Sequence, residues 1–288
     1  MPGLEPDIIR ALFVGACQTE LQALKPGNVH VHASGHGMEI SHFAAGAQAS
    51  APWVAATDLR VGERILKAVE ASLAASGCNT NLGIVLLCAP LAAAAEMNST
   101  DELRERLKNV LTKLDHKDAE DVYEAIRKAN PGGLGSADEG DVGEAPTSGL
   151  LAAMALAADR DRIARAYVTS FEDIFGFGMP VLKDAFYQSD HILQAVTTLH
   201  MAYMAQFPDS HIARKFGREA ADAVQQQARD LKPHWQPPIG PEAFQALLRF
   251  DTELKQRGIN PGTTADLVVA TLFAASICGR MTTPDHAA

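Results

Sequence analysis

Strand signals are nearly missing from this 288-residue chain: β-branched residues hardly ever alternate with polar ones, and aromatic residues make up only 6%. Helical spacing recurs almost everywhere instead, so the expected fold class is all-α. Long apolar runs are missing too. The longest, 83–95 and 267–278, fall short of the roughly 20 residues that cross a bilayer, and Pro90 interrupts the first. No membrane partner is expected. The opening MPGLEPDIIR has two acids before its arginine and no basic stretch ahead of an apolar core. A secretory signal is therefore not expected, and the reading is cytoplasmic. Cysteine is scarce: Cys17, Cys78, Cys88 and Cys278 form no C-x-x-C pair, which argues against a disulfide framework or a zinc site. Cations are in deficit. A net charge of −10 without a Lys/Arg stripe disfavours nucleic acid as a partner. Any phosphate ligand would need local cations or a metal to hold it.

What is present is a globular balance, 47% hydrophobic and 21% charged. It predicts one compact multi-helix bundle over 1–288, and a homodimer is compatible with it. Helices are expected over 6–24, 61–76 and from a Ser99-Thr100-Asp101-Glu102 capping box onward. Others are expected at about 117–129, 148–157, 159–175, 180–206, 210–230, 241–257 and 264–279. Asn130 to Ser148 reads as a long loop, a length often tied to function. Gly176-Phe177-Gly178 lacks the third glycine and the preceding strand of a dinucleotide-binding fold.

Several polar clusters interrupt this pattern. Glu20 falls on the apolar stripe of the first helix with Ile9, Phe13, Ala16 and Leu24. It can lie at the stripe's edge and reach water, or face a cleft as a metal ligand or acid/base group. Lys25-Pro26-Gly27-Asn28 follows at once, either a plain Pro-Gly helix exit or a turn whose lysine meets a phosphate. His30, His32 and His36 invite a zinc reading but lack a third ligand at familiar spacing. Asn79-Thr80-Asn81, set between Gly77 and Gly83, exceeds what capping one helix requires and suggests a polar shelf for a ligand. Gly132 and Gly133 precede Asp138, Glu139, Asp141 and Glu144. These acids form a solvated loop or share a Mg²⁺, which takes one or two carboxylates and leaves its other positions to water and phosphate. Asn260-Pro261-Gly262-Thr263-Thr264-Ala265-Asp266 opens an apolar helix. Thr263 and Asp266 fit a capping-box variant, and a helix N-terminus beside a carboxylate also suits a nucleotide.

In order along the chain, KPGNV, the Asn-Thr-Asn-Leu-Gly turn, the Pro-Gly-Gly-Leu-Gly and Asp-Val run at 131–142, DSHIARKFG at 209–217 and NPGTTADL at 260–267 resemble the triphosphoribosyl-dephospho-CoA synthase family. The family's best known branch carries His-Lys where this chain has Asn81-Leu82, and the present forms look closer to an archaeal- and methylotroph-type branch. The resemblance implies an all-helical transferase that moves the triphosphoribosyl group of ATP to an acceptor hydroxyl, such as that of dephospho-CoA, and releases adenine. It places Asp141 and Glu144 on Mg²⁺, with Lys25, Arg214 and Lys215 on phosphates. Asn79, Thr80 and Asn81 would meet ribose or base, and Gly27, Asn28, Gly132, Gly133, Asn260 and Gly262 the nucleotide. Glu20 or Asp266 would activate the attacking hydroxyl. Two alternatives stay open: a related ribosyl transfer in the biosynthesis of a one-carbon, pterin-type cofactor, and a non-catalytic helical nucleotide-binding protein.

Overall fold

A computed structural model describes residues 3–133 and 139–279. Within them the chain is helical, and its only bridged backbone pairs are the isolated His30–Ala33 and Gly35–Met38. The helices are α1 (Pro6–Gln22), α2 (Ile40–Val54), α3 (Val61–Ser76), α4 (Leu82–Ala95), α5 (Leu103–Leu111), α6 (His116–Ala129), α7 (Leu150–Ala157) and α8 (Arg162–Val168). A π-helical turn (Asp173–Gly178) leads to α9 (Met179–Ser189), α10 (Ile192–Gln206), α11 (Ser210–Phe216), α12 (Arg218–Asp230), α13 (Lys232–Trp235), α14 (Pro241–Gln256) and α15 (Gly262–Ile277). None among the described residues is long and apolar enough to cross a membrane.

Two helices form the centre. Every residue of α4 is buried, and so is almost every residue of α15; a helix apolar all round has no face to give to water and packs inside. α15 lies against α1 and α4, and Phe13 meets Phe273 edge-on with ring centroids 5.9 Å apart. The amphipathic α3 and α6 pack outside them, α3 ending at Gly77 in the left-handed region (φ 72°) that glycine adopts freely. A second, smaller apolar cluster, including Met201, Trp235, Phe250 and Leu254, joins α12, α13 and α14 to the outer face of α10.

Local signals mislead in five places. The predicted 180–206 helix breaks at Asp190 (φ 50°) and the 210–230 helix at Gly217 (φ 90°). The 159–175 helix becomes α8 followed by the π-helical turn. The Ser99 capping box does not form: Ser99 binds Asp101 instead, and α5 starts at Leu103 with no side-chain cap. α2 was not expected, because Gly46, Ser50 and Pro52 blur its pattern, yet it packs closely on α3. The long loop does run from α6 to α7; its Leu134, Gly135 and Asp138 lie outside the described residues.

Candidate functional site

A cavity of about 720 Å³ opens where α1, the starts of α4, α11 and α15, and helices α6 to α8 meet. The first wall carries Glu20. The α1 stripe turns it inward, and at 4% exposure it sits in the core rather than at the solvent edge. Its partner is Lys25, fully buried, which donates to the Glu20 carboxylate and to Asn28 Oδ1 (3.0 Å). Asn28 Nδ2 in turn donates to Asn260 Oδ1 (2.8 Å), tying this corner to the entry of α15. Burial pushes the Glu20 carboxyl up and the Lys25 ammonium down, while each partner's charge opposes the other's shift. Lys25, expected on a phosphate, is thus committed to a carboxylate and does not line the cavity; nor does Gly27, whose amide points to Asp251. Lys25 answers the buried Glu20 carboxylate, and Gly27 serves the turn rather than the wall.

The second wall is the Asn79–Gly83 turn. Asn79 Oδ1 accepts the Leu82 N–H (3.2 Å) at the start of α4, so the capping function falls to it alone. Thr80 and Asn81 are buried and anchor the turn laterally, through Thr80 Oγ1 to Ser72 Oγ (3.3 Å) and Asn81 Nδ2 to Ser50 Oγ (3.0 Å). All three line the cavity. A Cβ on Gly83 would overlap the Asp266 carboxylate, so glycine here lets α4 and α15 approach.

The third wall joins α11 and α15. Asp209 caps α11 through the Ile212 N–H (3.0 Å) and also accepts from the Thr264 N–H (2.8 Å) and Thr264 Oγ1 (2.9 Å). It thereby does the capping expected of Thr263 and Asp266, and no side chain within α15 caps that helix. Asp266 is left on the cavity without a hydrogen bond among the described residues, while Asn260, Gly262 and Thr263 line the wall around it. Burial raises its carboxyl well above the usual range, and the Asp209, Glu20 and Asp161 carboxylates add to the shift. His211, beside Gly262, is pushed down to about 4, by burial first and then by Arg214 and Lys215, and is neutral at pH 7.

Arg214, Arg160 and Arg218 bring positive charge to the rim. Arg214 is oriented by Asp161 (3.1 Å) and the Gly132 carbonyl (3.3 Å). Lys215 does not line the cavity, and its Nζ stands 5.3 Å from the Phe216 ring centroid. Gly132 lines the cavity, whereas Gly133 (φ 75°) packs on the Arg214 backbone. Asp141 lines it and accepts the Gly143 N–H (2.7 Å), but Glu144 is exposed and away from it. The remaining lobe is apolar, built by Leu86, Val122, Ile126, Leu150 and Met154. Sequence reasoning missed Asp161, Arg160 and Arg218, and gave Asp209 and His211 no role beyond their place in the DSHIARKFG motif. An Asp directly before a helical segment was the available signal for Asp161 and Asp209, each an N-cap. Of the three histidines, His30 and His32 lie close, with ring centroids 5.7 Å apart, but among the described residues no group of three His, Cys, Asp or Glu could hold a metal.

An all-helical chain with paired carboxylates and an arginine rim around one cavity has the equipment of a transferase acting on a phosphorylated small molecule. The chain belongs to the CitG family: the model of that family, ATP:dephospho-CoA triphosphoribosyl transferase, matches residues 6–283. A crystal structure from Archaeoglobus fulgidus, of a protein provisionally named triphosphoribosyl-dephospho-CoA synthase, is similar at 27% identity with a TM-score of 0.64, covering 82% of this chain and 98% of that one. No curated protein matches significantly.

Proposed function

We propose that the protein transfers the triphosphoribosyl group of ATP to a hydroxyl of dephospho-CoA, with release of adenine, inside this cavity. Family membership supports the reaction. The observation that carries the site is the convergence of Glu20, the Asn79–Asn81 turn, Arg214 and Asp266 on one cavity, although they are far apart in sequence.

The bond from ribose C1′ to adenine N9 breaks, its electron pair leaving with adenine, and a bond from C1′ to the acceptor oxygen forms. The transition state carries positive charge on the ribose, which nearby carboxylates stabilise. Glu20, raised by burial yet held by Lys25, takes the proton of the attacking hydroxyl. Asp266, biased toward its protonated form, supplies a proton to the departing base. Arg214, Arg160 and Arg218 meet the phosphates, with the N-terminal end of α15 close by. The apolar lobe takes a planar heterocycle.

Magnesium fits this donor set. Asp141, Asp159 and Asp161 line the cavity, and Mg²⁺ needs only one or two carboxylates when phosphates and water complete its shell. Asp141 would hold it; Glu144 is too far out on the loop. When bound, the ion would offset the charge of a triphosphate against an acidic wall.

The test is mass spectrometry after incubation with ATP, Mg²⁺ and dephospho-CoA, with pterin intermediates in parallel. Free adenine and a triphosphoribosylated dephospho-CoA are expected. Adenine release only with a pterin would move the acceptor, and ATP binding without adenine would overturn the transfer.

A further inference from the structure

The turn that carries Lys25 is gripped from outside the cavity by side chains remote in sequence. Asn28 N–H donates to Lys25 O (3.0 Å), with Pro26 second and Gly27 third at φ 84°, the pattern of a type II turn. The backbone groups of its two central residues are matched one by one. His200 Nε2, on α10, donates to the Pro26 carbonyl (3.2 Å). His36 Nε2 donates to the Gly27 carbonyl (2.8 Å). The Gly27 N–H donates to Asp251 Oδ1 (2.8 Å), on α14. A Cβ on Gly27 would stand 2.7 Å from Pro261 Cδ and 2.9 Å from Leu254 Cδ1, so the turn is also confined sterically.

Asp251 is the hub. Besides the Gly27 amide it meets His30 Nε2 (3.3 Å) and Lys255 Nζ (3.0 Å). His30 Nδ1 accepts the His32 N–H (3.2 Å), which assigns the ring proton to Nε2 and makes His30 a donor to Asp251. Three donors therefore converge on one carboxylate that is 2% exposed. An ionised carboxylate offers only acceptor positions, whereas an amide would turn an NH₂ toward donors. Neither Asp251 nor any of these histidines or Lys255 lines the cavity. His36 is itself held with φ 57°, a left-handed conformation uncommon for a residue with a side chain, next to Gly37 in a tight turn closed by Met38 N–H to Gly35 O (2.9 Å).

We infer that Asp251 is a positioning residue for the transfer: through the Gly27 amide it locks the Lys25–Asn28 turn and so holds Lys25 against Glu20. The inference rests on the reading that Glu20 meets the attacking hydroxyl. Held this way, the Glu20 carboxylate keeps one orientation, and a small displacement of such a group is costly in rate.

Steady-state kinetics of Asp251→Asn, alone and combined with Glu20→Gln, test it. Asp251→Asn is expected to lower kcat about tenfold or more with little change in KM for ATP, and to cost nothing further once Glu20 is already Gln. His36→Ala, reaching the same turn from the partly buried side, is expected to show the same dependence on Glu20 and carries the test if Asp251→Asn does not fold. An equal loss in both backgrounds would overturn the positioning role and leave Asp251 a purely structural residue. Wild-type kcat in Glu20→Gln alone would instead overturn the reading of Glu20, and the inference with it.

Discussion

Glu20 and Asp266 face the same cavity and are built in opposite ways. Glu20 has a dedicated cation, and that cation sits on a turn clamped by α10, α14 and the His30–Met38 segment. Asp266 has no cation of its own: the Asp209, Glu20 and Asp161 carboxylates raise its carboxyl, against a weaker opposing pull from Arg214. Burial favours the neutral form of both. The cation keeps the charged form of Glu20 within reach, whereas nothing comparable does so for Asp266. Two carboxyls in one site can thus be separated into an acceptor and a donor of protons by their surroundings alone.

Four substitutions sharpen or break this contrast. The largest effect is expected from Lys25→Met, which leaves Glu20 buried without its cation; removing one partner of a buried pair costs about 3–5 kcal/mol, readable by denaturant unfolding. A loss under about 1 kcal/mol would show that Glu20 does not depend on Lys25. Glu20→Gln, whose amide oxygen can still accept from Lys25, is expected to lower kcat by a factor on the order of 10² or more, and an unchanged rate would remove it as the base.

Asp266→Asn separates the two carboxyls by pH. The folded-state pKa of Asp266 is raised, so the native state binds its proton more tightly than the unfolded chain does. The stability this contributes is full below the unfolded value of about 4 and is lost as pH rises through the folded value. Thermal unfolding should therefore give Asp266→Asn a flatter pH profile, with its midpoint rising relative to wild type from about pH 4 upward. Parallel profiles would mean that Asp266 is not perturbed. Its kcat is expected to fall about tenfold, less than for Glu20→Gln. Smallest is Glu144→Gln: as an exposed residue away from the cavity it is expected to leave kcat and KM for ATP unchanged, and a rise in the Mg²⁺ requirement would restore it to the metal site.

Much of this site was legible residue by residue. The inward face of α1 marked Glu20, the surplus of polar residues marked Asn79–Asn81, and the NPGTTADL run marked the entry of α15. Partnerships were less legible. The sequence shows Lys25 as a cation suited to phosphate, because nothing local says that a buried acid five residues earlier will claim it. The sequence leaves Asp266 open between a cap and a site carboxylate, since it shows Thr263 three residues before it and not Asp209 occupying the Thr264 amide from another helix. Asp251 and His200, 224 and 174 residues from the groups they hold, gave no signal at all.

The sequence by itself determined the all-helical class, most of the helices and the family, because periodicity, glycine stops and short motifs act within a few residues of one another. Tertiary structure alone decided which acid has a cation and which does not, and which loop residues reach the cavity. Those outcomes depend on burial and on partners delivered by distant helices, and the energy of a buried charge is set by what surrounds it in space.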